Sequence, residues 1–78
     1  MKRLEKSKIG EVANRNIRAQ MGLRGESALS LSQRTGRSYS YIRNRLAGDG
    51  EWALSDLELI AGIWGVTVTE LLSSEFRV

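Results

Sequence analysis

Cysteine, histidine and proline are all missing from this chain of 78 residues. Without cysteine and histidine there are no disulfides, no zinc-finger ligand sets, no thiol nucleophile and no ordinary neutral-pH general base. The lack of proline and of low-complexity sequence excludes a long disordered linker. Apolar stretches fall far short of the roughly 18 residues that a membrane-spanning helix needs, so no membrane partner is expected. The opening MKRLEKSK is charged but is not followed by an apolar signal core. These absences predict a soluble, cytoplasmic protein with no metal or other cofactor.

A chain of this length forms one domain at most. It buries only roughly 60% of its unfolded surface, so the core is small. With no disulfide or metal to help, stability must come from helix packing, capping and, in some proteins of this size, a partner subunit.

Charge is distributed unevenly. Residues 1–50 hold eleven Lys/Arg against four acids, and residues 51–78 hold one Arg against five acids, so the halves differ as +7 against −4. A cationic side on a small domain is the electrostatic footprint of a polyanion binder. A solvated basic surface on an ordinary domain fits the same count.

Apolar spacing and caps predict an all-α fold, a compact bundle of five short helices. Ile9, Val12, Ala13, Ile17 and Met21 form a helical stripe over 8–21, broken by Gly22 and Gly25. Ser27 caps a second helix over 28–35, with Ala28, Leu31 and Ser32 inward and Gly36 ending it. Ser38 opens a third, carrying Ile42 and Leu46 on one face and stopped by Ala47-Gly48-Asp49-Gly50. Ser55-Asp56-Leu57-Glu58 has the form of a capping box, with Leu54 and Leu59 as its hydrophobic staple. It opens a fourth helix whose stripe is Leu57, Ile60, Ala61 and Trp64, closed by Gly65. Thr67 and Glu70 repeat the box for a fifth, stapled by Val66 and Leu71. The organisation expected is a basic arm over 1–7, a helical domain over 8–74 and a tail over 75–78, with Phe76 a candidate to dock on the core.

The informative unit runs from Ser27 to Gly48. Two short helices joined by a glycine turn are the geometry of the DNA-binding helix-turn-helix, whose second helix enters the major groove while the first crosses the backbone. If Ile42 and Leu46 are buried, then at about 100° per residue Ser40, Asn44 and Ala47 point outward. Arg43 and Tyr39 share one flank, and Tyr41 and Arg45 the other. Asn pairs with adenine, Arg with guanine, and Ser with several base edges or a phosphate. The helix N-terminus capped by Ser38 adds amides suited to a phosphate oxygen. Between residues 34 and 45 stand Arg34, Arg37, Arg43 and Arg45 and no acid.

The run LSQRTGRSYSYIRNRLAGDGEWALSDLELIAGIWGVTVTELL resembles the lambda-repressor-like (Cro/repressor, XRE-type) helix-turn-helix family, and looks most like versions found in actinobacteria and their phages. The resemblance covers roughly residues 14–72. LSQRTG matches the second helix and turn, SYSYIRNRLAG the recognition helix, and SDLELIAGIWGV with TVTELL the supporting helices. It implies that Ser38, Tyr39, Ser40 and Asn44 contact bases or nearby phosphates, that Arg43 lies beside them, and that the second helix meets the backbone at Ser27. Two positions depart from the family pattern. Ala28 stands where many members carry a phosphate-binding Gln, and Ser32 where many carry Ala.

The candidate DNA-binding set is therefore Ser27, Arg34, Arg37, Ser38, Tyr39, Ser40, Arg43, Asn44 and Arg45, with double-stranded DNA as partner. Other roles fit some of these residues. Tyr39 and Tyr41 can simply cover the junction of the second and third helices, Tyr41 above all, and Arg45 can be a snorkelling structural arginine. The two tryptophans suit packing better than base stacking. No residue set supplies nucleophile, base and orienting group together, so an enzyme is not expected. A small Cro- or repressor-like regulator leads, with an accessory DNA-binding protein such as an excisionase or antitoxin, or a protein-docking scaffold, as alternatives. A weak homodimer would pair through Trp64, Val66, Leu72, Phe76 and Val78, or else Trp64 and Leu72 complete the monomer core.

Overall fold

Ser7 opens the described part of the chain, residues 7–75 of a computed structural model, as a helix cap. Its hydroxyl accepts from the Gly10 amide at 2.9 Å, and α1 runs over Lys8–Arg24. Four helices follow: α2 Ala28–Thr35, α3 Tyr39–Leu46, α4 Leu54–Trp64 and α5 Val68–Leu71. Among the described residues there is no strand, and no helix is long and apolar enough to cross a membrane. The basic arm, except for Ser7, and Phe76 and Val78 lie outside the described residues.

The core draws on every helix. Ala13, Ile17 and Met21 of α1 meet Leu31 of α2, Ile42 of α3, Leu57, Ile60, Ala61 and Trp64 of α4, and Leu71 of α5, with Trp52 from the preceding loop. α2 packs on α3 and α4, α4 on α5, and α1 on α3 and α5. Burying these apolar surfaces is the main favourable term in a chain with no covalent staple.

Three expectations are corrected, two about element edges and one about burial. α1 continues a turn past Met21, because Gly22 stays helical and only Gly25 takes the left-handed conformation (φ 68°) that caps it. Arg24 holds the added turn in place, donating from Nε to Gln20 Oε1 and from Nη1 to the Trp64 carbonyl. Ile9, read as part of the inner stripe, is 61% exposed. The first turn of α1 runs beyond the core and meets the loop at Glu51, whose carboxylate accepts from the Ser7 amide.

The third correction concerns α4. Its cap is Ala53, not Ser55, and Asp56 takes the box position, accepting from the Ala53 amide at 2.9 Å. Alanine has no side-chain acceptor, so the box is half made. Glu58 is exposed, and the proposed staple residues Leu54 and Leu59 are exposed too. With the start moved, Trp52 and Leu57 occupy the staple positions, and both are buried. Burial of Trp52 and the bonds made by Asp56 outweigh a solvent-facing Ser-Glu box. At α5 the box formed by Thr67 and Glu70 is made as the sequence predicts.

Candidate nucleic-acid interface

α2 and α3 are joined by Gly36, Arg37 and Ser38 alone. Gly36 adopts φ 79°, a left-handed conformation that costs glycine nothing, and its amide closes α2 on the Ser32 carbonyl. Ser38 then caps α3, its Oγ accepting from the Tyr41 amide at 3.1 Å. The reversal is tight enough to set α3 against α2, with Ile42 fully buried between them and the rest of the core.

That anchoring decides what α3 shows to solvent. Tyr39, Ser40, Arg43, Asn44 and Ala47 are exposed, and no side-chain hydrogen bond holds Ser40, Arg43 or Asn44 to another of the described residues. Arg43 lies over the Tyr39 ring, 5.8 Å from its centroid, which orders a cation beside Ser40 and Asn44. The helix carries no acid.

The other candidate arginines are held within the fold. Arg34 pairs with Glu26 at 2.5 Å and also reaches the Ile63 carbonyl. Arg37 donates from Nε to Asp56 at 2.7 Å and from Nη2 to Ser55. Arg45 stacks 4.3 Å over the Tyr41 ring and donates to the Asp49 carbonyl at 2.8 Å, while its Nε is buried without a hydrogen-bond partner. Tyr41 in turn donates its hydroxyl to Asp56 at 2.5 Å, so its place is at the helix junction. Ser27 is exposed and caps α2, accepting from the Ser30 amide. Ser38 and Ser27 thus offer their caps at the starts of α3 and α2.

No family model matches the chain, and no curated protein or solved structure matches it.

Ala28 lies in a shallow groove between α1, α2 and α3. The groove is lined by Arg18, Met21, Ala28, Tyr39, Arg43, Leu46 and Ala47. Arg18 was not among the sequence candidates. It donates to the Leu46 carbonyl at 3.1 Å and brings a second exposed cation beside Arg43. Two buried carboxylates were also missed. Glu26 accepts from Ser30, Arg34 and Trp64 Nε1, tying the start of α2 to the end of α4. Asp56 ties the turn and α3 to the start of α4. In both, burial pushes the carboxyl upward, but the hydrogen bonds and the paired arginine outweigh it and hold it below its usual value. Trp64, offered as a dimer contact, is buried with its indole N–H bound to Glu26.

Proposed function

We propose that this protein binds double-stranded DNA sequence-specifically, as a small Cro- or repressor-like regulator of the lambda-repressor-like kind, with α3 in the major groove. The observation that carries the proposal is the outward face of α3: Ser40, Arg43 and Asn44 exposed, without side-chain hydrogen bonds to other described residues and free of any neighbouring acid on the helix. A solvated surface helix gains from interspersed acids and i,i+4 ion pairs. An acid-free face bearing an amide, a guanidinium and a hydroxyl suits base edges and phosphates.

Recognition then divides by residue. Asn44 and Arg43 read bases, Ser40 meets a base edge or phosphate, and the start of α2 at Ser27 lies along the backbone. Regulation follows from occupancy, a bound operator being closed to polymerase. A single helix reads few base pairs, too few for a genomic site, so two copies occupy half-sites about one helical turn apart. Trp64 is committed to the core and does not join them. Such a protein works in the cytoplasm.

Selection of DNA from a random pool by the purified protein, followed by affinity measurements across salt, tests this. The expected result is one enriched motif whose log affinity falls linearly with log salt. No enrichment, with a nearly flat salt response between about 50 and 200 mM, would favour protein docking over DNA.

A further inference from the structure

Asp56 is a carboxylate with 2% exposure, on the first turn of α4 and outside the face proposed for DNA. Its three donors come from three places: Arg37 Nε in the turn before α3 (2.7 Å), the Tyr41 hydroxyl on the first turn of α3 (2.5 Å) and the Ala53 amide at the start of α4 (2.9 Å). Arg45, one turn after Tyr41, stacks on the same ring and continues to the Asp49 carbonyl. One flank of α3 is thus bonded from the turn to the following loop, with Asp56 at its root.

The apolar contacts of α3 do not do this by themselves. Ile42 is its one fully buried residue, and Leu46 is half-buried. Apolar burial is non-directional, and Asn14 and Arg18 hold only the last carbonyl of α3, so these contacts constrain its roll less sharply than side-chain bonds at its start. Charge-assisted hydrogen bonds are directional, and two of them four residues apart fix the roll. A binding constellation tolerates only about 0.5 Å and 10–20° of misplacement. With a side-chain envelope about 10–12 Å across, a modest roll carries every outward tip past that limit.

We infer that Asp56 is the positioning residue of α3, setting through Arg37 and Tyr41 the roll at which Ser40, Arg43 and Asn44 are presented together. The inference rests on the DNA-binding proposal for that face. It differs from a simple contribution to stability, which would lower the folded fraction and so weaken all DNA equally.

The test compares Asp56→Asn and Tyr41→Phe with the unchanged chain, at a temperature where circular dichroism shows each folded. Affinities are measured for the selected site and for random DNA, and amide residual dipolar couplings give the orientation of α3 relative to α1 and α4. Asp56→Asn is expected to lower the specific-to-random ratio about tenfold, with random-DNA affinity unchanged and α3 couplings no longer fitting the original orientation. Tyr41→Phe, which leaves the Arg37 bond in place, shifts both in the same direction by less. If Asp56→Asn does not fold, Tyr41→Phe carries the comparison. Couplings that still fit the original orientation, or equal losses on both DNAs, overturn the inference. If the unchanged protein discriminates no sequence, the DNA proposal fails separately, and the couplings alone decide the role of Asp56.

Discussion

Asn14 of α1 donates from Nδ2 to the carbonyl oxygen of Leu46, the last residue of α3, across 3.1 Å. Its Oδ1 accepts from Trp52 Nε1 at 2.9 Å. One side-chain amide therefore shares with Arg18 a carbonyl at a helix end, where no intrahelical partner exists, and alone satisfies an indole N–H that burial would otherwise strand. Asn14→Ala removes both bonds at once and is expected to cost about 1–3 kcal/mol of stability. Urea unfolding followed by tryptophan fluorescence measures it. A change within about 0.5 kcal/mol, the range of an ordinary surface substitution, would show that the clamp contributes nothing.

The arginines separate by what they touch. Arg43→Ala and Asn44→Ala should each weaken the selected site by about 1–3 kcal/mol with folding stability nearly unchanged. Arg37→Ala should differ in costing stability as well, while weakening the selected site through the roll of α3 and leaving random-DNA affinity unchanged. It leaves the Asp56 carboxylate buried without its cation, and the stability loss should approach the lower end of the roughly 3–5 kcal/mol seen for fully buried pairs, because Arg37 itself is partly exposed. Thermal melts and binding titrations on the same preparations make the comparison. Stable Arg37→Ala protein that loses affinity equally for the selected site and for random DNA would instead make Arg37 a direct contact to the DNA backbone.

Why some of this was legible in the sequence and some was not follows from the range of the interactions. Ser38, Gly36, Thr67 and Glu70 act within three or four residues, and short-range chemistry is written in adjacent letters. The pairs Glu26–Trp64, Arg37–Asp56 and Asn14–Leu46 span 38, 19 and 32 positions, and nothing local marks them. The cap of α4 is hidden from local sequence for the same reason. The local Ser55–Glu58 pattern is sound, but Trp52 and Asp56 are held by residues on α1, the turn and α3, and these long-range bonds set where α4 begins. Asn14 and Asn16 left one faint signal, as amides beside Ala13 and Ile17 on the inward side of an amphipathic helix.

Acid should unfold the protein through its two buried carboxylates. Asp56 and Glu26 are both held below their ordinary values of 3.8 and 4.5, with burial opposing and hydrogen bonds and arginine charge prevailing. The unfolded chain then binds protons more readily than the folded one, so stability rises with pH through this window. The contribution is fully present above the ordinary values and is lost as pH falls through the lower folded ones. Melting temperature should drop steeply on acidification below about pH 4. Asp56→Asn and Glu26→Gln, less stable at neutral pH, should each show a shallower acid limb. An acid limb unchanged in both variants would place the titration elsewhere.

The glycines offer a test in which the same substitution takes opposite signs. Gly22 lies inside α1 and Gly62 inside α4, both exposed, and a Cβ at either would meet nothing within 4 Å. Glycine in a helix interior costs about 0.5–1 kcal/mol relative to alanine, so Gly22→Ala and Gly62→Ala should each stabilise by about that much. Gly50 is the contrary case. Its φ is 101°, which alanine rarely adopts, and the Arg45 guanidinium fills the space a Cβ would need. That guanidinium has a further role, since it stacks on Tyr41 and binds the Asp49 carbonyl. Gly50→Ala must therefore strain the backbone and push Arg45 off its ring. A loss of about 1–3 kcal/mol is expected, from strain of the kind seen at unfavourable backbone angles. Calorimetric melts of the three variants measure all the signs together. Stabilisation by Gly50→Ala would mean that neither the left-handed turn nor the Arg45–Tyr41 stack matters to the fold, and the bonded flank of α3 would then end at Tyr41.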